Sequence, residues 1–186
     1  MSSAKTGHPT HVALLRGVNV GGKNKLPMAD LAAIFADIGC CHVSTYIQSG
    51  NVLFSAPSTL LKKIAKLVQD RIATRFGIQV PIVIRSSEQL ADTLRANPFL
   101  KMGKAEATLH VYFLADKPGT DAVNGLDAAR STPDEFRVIH QEIFLYLPNG
   151  MARTKLTNAW FDSKLKTVST ARSWATVNKL LALMQA

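Results

Sequence analysis

The residues best suited to chemistry form a short run near the N-terminus: Arg16-Gly17-Val18-Asn19-Val20-Gly21-Gly22-Lys23-Asn24-Lys25. Its glycines permit positive φ and let backbone N–H groups converge. Arg16 offers a planar fork for phosphate or carboxylate, and Lys23 and Lys25 add point charges. That is the chemistry of an anion cradle. Gly17 to Lys23 also fits the G-x-x-x-x-G-K part of a nucleotide-binding P-loop, but Asn24 stands where a Ser or Thr should hold magnesium. The next helix is predicted to start near Pro27, too late to put Lys23 at its N-terminus. The run therefore reads as an anion cradle or as a plain glycine turn, and not as a P-loop.

Two further segments share this character. Gln48-Ser49-Gly50-Asn51 presents amides and a hydroxyl able to hydrogen-bond a ligand, although the same residues suit a tight turn for backbone reasons alone. Near the C-terminus, Leu147-Pro148-Asn149-Gly150 leads into Arg153-Thr154-Lys155, placed at the start of a helix predicted over 153–165. Free N–H groups there, with Arg153 and Lys155, would favour a phosphate or carboxylate. Thr170, Arg172 and Ser173 repeat the theme before the last helix, whereas Trp174 opens an apolar stripe and reads as core.

Catalytic constellations are mostly missing. His8, His11, His42, His110 and His140 have no metal-ligand spacing with one another or with Cys40 and Cys41, and no G-x-S-x-G occurs. Acid–base chemistry needs a titratable group within reach of the substrate. Yet no Asp or Glu occurs in residues 1–29, 38–69 or 143–161, which contain most of the segments above. No catalytic residue can be named, no metal or cofactor is expected, and binding is a simpler reading than turnover.

Hydrophobic period supplies the elements that must position these segments. A continuous apolar run predicts a buried strand over 11–17, followed by a helix over 27–38 with Leu31, Ile34, Phe35 and Ile38 as its stripe. A hairpin runs from Val43 to Phe54, broken at Ser49-Gly50. A long amphipathic helix from Pro57 to Gly77 and a strand over 80–84 complete a strand, helix, strand, strand, helix, strand order. After a helix over 87–96 and a polar stretch through Lys104 that reads as a linker, the order restarts. A strand over 109–114, a weak helix over 119–129 and hairpin arms 135–139 and 142–147 come first. The 153–165 helix, a brief strand over 167–169 and a last helix follow. The fold class is α+β, with two tandem ferredoxin-like halves (α/β plaits) over 1–100 and 105–186, each an antiparallel sheet in the order 4-1-3-2. That order brings Asn51 beside Arg16 and Gly17, joining two distant segments into one site.

The chain has 186 residues, 47% of hydrophobic type and 19% charged, which describes a well-cored globular protein. Its 22 basic and 13 acidic residues give +9, and the excess lies wholly in the two ends. Residues 1–29 carry Lys5, Arg16, Lys23 and Lys25 without an acid, and residues 143–186 carry six bases against Asp162 alone. Adjacent cysteines cannot bridge each other without strain, so a reducing, cytoplasmic setting is expected. No stretch is apolar enough for export or for a membrane span, so no membrane partner is expected. Three readings stay open. In one the basic ends are a surface for an anionic polymer, with nucleic acid the leading candidate; in another the loops bind or turn over a small phosphorylated or carboxylated metabolite; in the third the motifs are structural only.

The string ALLRGVNVGGKNKLPM over 13–28, TYIQSGNVLF over 45–54, YLPNGMARTKLTNA over 146–159 and TARSWATVNKL over 170–180 together resemble a bacterial family catalogued as domain of unknown function 1697. The resemblance implies a duplicated α/β plait and no established activity. The family's closing pattern is nearer T-T-R-N-W-N-T-V. Arg172, Trp174 and Thr176 match it, while Ala171, Ser173 and Ala175 depart from it.

Overall fold

The structure, a computed structural model, describes residues 7–186; Lys5 lies outside them. Fifteen strands and α-helices follow the predicted order closely: β1 (His11–Leu15), α1 (Met28–Asp37), β2 (Cys41–Tyr46), β3 (Asn51–Ser55), α2 (Ser58–Phe76), β4 (Ile82–Ser86), α3 (Ser87–Ala96), α4 (Pro98–Lys101), β5 (Leu109–Leu114), α5 (Thr120–Asn124), β6 (Glu135–Ile139), β7 (Glu142–Tyr146), α6 (Asn158–Leu165), β8 (Ser169–Ser173) and α7 (Trp174–Gln185). Two compact units result. One holds the described residues up to Glu88 together with Leu180–Ala186, and the other holds Gln89–Lys179.

The first unit is a four-stranded antiparallel sheet in the order β2-β3-β1-β4. Alternation turns Ala13, Leu15, Val52, Phe54 and Ile82 to one face. There they meet Leu31 and Phe35 of α1 and Ile64, Val68 and Ile72 of α2. Spacings of three and four residues put each helical set on one stripe, and each fully buried side chain of this size contributes roughly 1.5–3 kcal/mol. Gly77, at φ +67, ends α2 in the left-handed conformation that glycine adopts without Cβ strain. β2 is an edge strand and carries an irregularity between Cys41 and Ser44, with His42 at φ +52.

The second unit repeats the plan in the order β6-β7-β5-β8. Its core joins Tyr112, Leu114, Ile143 and Leu145 to Leu156, Phe161 and Leu165. Tyr112 is buried, packs edge-on to Phe161 at 5.7 Å and donates its hydroxyl to Leu156 O at 2.9 Å. Trp174 is also buried, as its place at the head of an apolar stripe predicts.

Four local expectations need correction. The last strand is Ser169–Ser173, not 167–169; the polar string STARS hides the alternation, and its place is set by pairing with β5, where Val111 faces Arg172. Arg172, just ahead of α7, is thus a buried strand residue. Helix α6 starts at Asn158 because Thr157 caps it, its Oγ1 accepting from Trp160 N at 3.2 Å; Arg153 and Lys155 precede the helix in a loop. The weak helix over 119–129 shrinks to the five residues of α5. Finally, the polar stretch through Lys104 is not a linker, since Asn97 caps α4 and Phe99 is fully buried.

The turn between β2 and β3 seats directly on the end of β1. Leu15 N donates to Gly50 O at 2.8 Å, and β1 pairs with β3 so that Leu14 lies opposite Asn51. At Gly50, φ is +78, and a Cβ would come within 2.5 Å of Val18 Cγ2 and 2.8 Å of Leu15 Cβ. A non-glycine residue would therefore suffer both left-handed strain and overpacking.

Two predictions test this packing. Gly50→Ala should lose about 3 kcal/mol, combining the left-handed and overpacking costs. The urea midpoint should fall with little change in slope, whereas an unmoved midpoint would mean that the turn does not pack on β1. Burial pushes the Tyr112 hydroxyl up to about 12, helped by the charge of Asp162. The unfolded chain ionises this group near 10, so its contribution is intact below about pH 10 and is lost as pH rises toward 12. Absorbance titration should show a tyrosine ionising near pH 12 that Tyr112→Phe removes; an unchanged titration in that variant would refute the assignment.

Candidate functional site

The loop from Arg16 to Leu26 is a miniature hairpin. Val20-Gly21-Gly22-Lys23 forms its tip, with φ +58 at Gly21, φ +75 at Gly22 and Lys23 N donating to Val20 O at 3.1 Å. Positive φ at both central residues is the mirror-image type I turn that suits a hairpin's twist, which explains the two glycines. The ladder continues one step down, where Asn19 N donates to Asn24 O at 3.1 Å. Val18 and Leu26, both fully buried, pin the base of the loop into the core.

The asparagines hold this loop in shape. Asn19 Oδ1 accepts from Leu26 N at 2.9 Å, while its Nδ2 donates to Leu26 O at 2.8 Å and to Gln48 O at 3.0 Å. One side chain thus closes the loop and binds it to the neighbouring turn. Asn24 Nδ2 donates to Gly17 O at 2.9 Å. Asn51 is fully buried and donates to Tyr46 O at 3.0 Å and Ser49 Oγ at 3.2 Å. Asn19 and Asn24 also adopt positive φ, which asparagine tolerates better than most residues.

The two sequence segments Arg16–Lys25 and Gln48–Asn51 therefore meet, and they divide the labour. Asn19, Asn24, Gly50 and Asn51 form scaffold. Arg16 is half-buried, has a partner within the protein, and donates its amide to Pro81 O at 3.0 Å. The surface is left to Gly21, Gly22, Lys23 and Lys25, with the Gln48 side chain beside them, all exposed. Neither lysine has an ion-pair partner among the described residues. Two apolar side chains share this surface, Val20 at 60% exposure and Ile47 at 48%. Ile47 also sits at φ +50, a strained conformation for a β-branched residue, of the kind that clusters at binding sites.

In the second unit, Asn149 and Gly150 lie in the turn after β7, with Gly150 N donating to Leu147 O at 3.0 Å and Arg153 N to Gly150 O at 3.3 Å. Arg153 and Lys155 are exposed. Arg172 Nη1 donates to Thr170 Oγ1 at 2.9 Å and Ala171 O at 2.6 Å, and burial lowers the guanidinium's pKa. Sequence reasoning overlooked Arg130, whose Nε donates to Lys155 O at 3.0 Å across 25 positions of chain. No local pattern signals that contact.

Nucleophile and metal chemistry find little support. Burial, with the neighbouring Cys41, pushes the buried Cys40 thiol up to about 11, which leaves it protonated at neutral pH. Burial lowers the pKa of His11 and His110. Among the described residues, no three His, Cys, Asp or Glu side chains are grouped to hold a metal ion. Among the same residues, no helix is long and apolar enough to cross a membrane.

Comparison with known proteins bears on the fold and the family. A conserved bacterial protein from Streptococcus pneumoniae, SP0830, has a similar solved structure with a TM-score of 0.71 and 22% identity, over 97% of this chain and 100% of that one. At that identity the likeness concerns the fold alone. No protein of curated function matches the sequence. The family model described as "Protein of unknown function (DUF1697)" matches residues 9–144, which takes in the glycine loop and the β2–β3 turn but not the strings at 146–159 and 170–180. With that match over most of its length, and two antiparallel sheets as the resemblance implied, the chain belongs to the DUF1697 family.

Proposed function

We propose that the protein is a cytoplasmic anion-binding module and that the Val20–Lys23 tip contacts the phosphate backbone of nucleic acid. The observation that carries this reading is the combination at the tip. Gly21 and Gly22 N–H groups have no partner among the described residues, and Lys23 and Lys25 flank them without a neutralising carboxylate. Amides and ammonium groups so arranged are donors in search of acceptors.

Exposure favours a polymer over a small metabolite. A compact ligand needs a concave site that buries most of its surface. Val20, Gly21, Gly22, Lys23 and Lys25 are all exposed, so the tip can lie along a chain of phosphates but cannot enclose a ligand. Val20 and Ile47 fit the same picture, since apolar side chains beside lysines can press against sugars or base faces.

The test is fluorescence anisotropy with short RNA and duplex DNA over a range of salt. Affinity should fall linearly on a log–log plot against salt. Lys23→Ala and Lys25→Ala should each weaken binding similarly for all sequences and reduce the salt slope by about one. Because both side chains are exposed and unpaired, the melting temperature should not move. A flat salt response, or full affinity in the double variant, would overturn the reading.

A further inference from the structure

In the second unit the segment around Arg130 meets the loop ahead of α6, which carries two further exposed cations, Arg153 and Lys155. Three contacts tie the segments together: Arg130 Nε to Lys155 O at 3.0 Å, Lys155 N to Ser131 Oγ at 2.9 Å, and Ser131 Oγ with Thr154 Oγ1 at 3.4 Å. The Arg130 guanidinium also lies over the Trp160 ring, 4.8 Å from its centroid. Trp160 is held in turn by edge contacts with Phe136 at 6.0 Å and Phe161 at 4.7 Å.

This arrangement fixes the plane of a flexible, exposed side chain. Nε is used, and the two terminal nitrogens have no partner among the described residues. They form the end of the fork that grips an oxyanion through two parallel hydrogen bonds. Arg153 and Lys155 are exposed on the loop held against it. Asp134 accepts from Ser131 Oγ at 2.7 Å and Asp127 from Ala129 N at 2.9 Å, and among the described residues neither forms an ion pair with Arg130, Arg153 or Lys155.

We infer that Arg130, with Arg153 and Lys155, forms a second anion site that takes a single phosphate group, held by the stacked guanidinium. The site is built from residues of the second unit alone. Arg130 positions its fork through Trp160, so the tryptophan reports occupancy: an anion drawing on the guanidinium changes the charge above the indole.

The experiment follows Trp160 fluorescence in the full chain during titration with inorganic phosphate and pyrophosphate, at ionic strength held constant with chloride. The wild-type chain should show a saturable change. Arg130→Lys, which keeps the charge but loses the fork, should weaken binding about tenfold. Trp160→Phe should abolish the optical signal and keep the rise in melting temperature that phosphate causes. The double variant Lys23→Ala, Lys25→Ala should titrate as wild type, which separates this site from the tip. The inference is overturned if the wild type does not saturate, if Arg130→Lys binds like wild type, or if the lysine double variant loses the response.

Discussion

A missing side chain at position 50 governs the arrangement of the edge of the first unit that carries the glycine loop. Because Gly50 leaves room for Leu15 and Val18, the β2–β3 turn can descend onto the end of β1 and close the Leu15–Gly50 hydrogen bond. Any Cβ would hold the two apart. The contact turns an ordinary consequence of strand order into a defined surface: β1 ends, its loop rises, and the neighbouring turn stands beside it. Asn19 then completes the joint, since its amide reaches both the far end of its own loop and the carbonyl of Gln48.

The same residues explain why the loop can be both glycine-rich and well defined. Glycine raises the conformational entropy that folding must overcome, and two in succession would ordinarily give a mobile tip. Here the tip is closed by a two-residue turn, braced by two asparagine side chains and anchored on buried Val18 and Leu26. Order at the base frees the tip to carry exposed Val20, and the neighbouring turn carries the strained, exposed Ile47. Rigid support below and exposed groups above is the arrangement on which the proposed contact with an anion rests.

Most of the architecture was legible in the residues. Apolar period located eleven of the fifteen elements closely, and the order of elements matches the strand order of both sheets. What escaped had physical causes. β8 is polar and owes its place to pairing with β5. The start of α6 depends on one threonine hydroxyl, and the 97–104 stretch looked like a linker because its single buried aromatic, Phe99, gives no period. At the candidate site, residue types marked the right loop without separating scaffold from surface, because an asparagine that braces a turn and one that binds a ligand are identical in sequence. Arg130 was invisible for a different reason: its significance arises from a backbone carbonyl and an indole ring supplied by distant parts of the chain.

The irregularity in β2 has a consequence for the protein in crowded solution. As the outermost strand of its sheet, β2 offers a row of backbone groups of the kind a second molecule can extend into a continuous ribbon. The shift between Cys41 and Ser44, with His42 turned to φ +52, breaks the even spacing that such self-templating growth requires. The flaw in the ladder is thereby a guard against polymerisation, and it lies at the opposite end of the strand from the turn that carries Ile47.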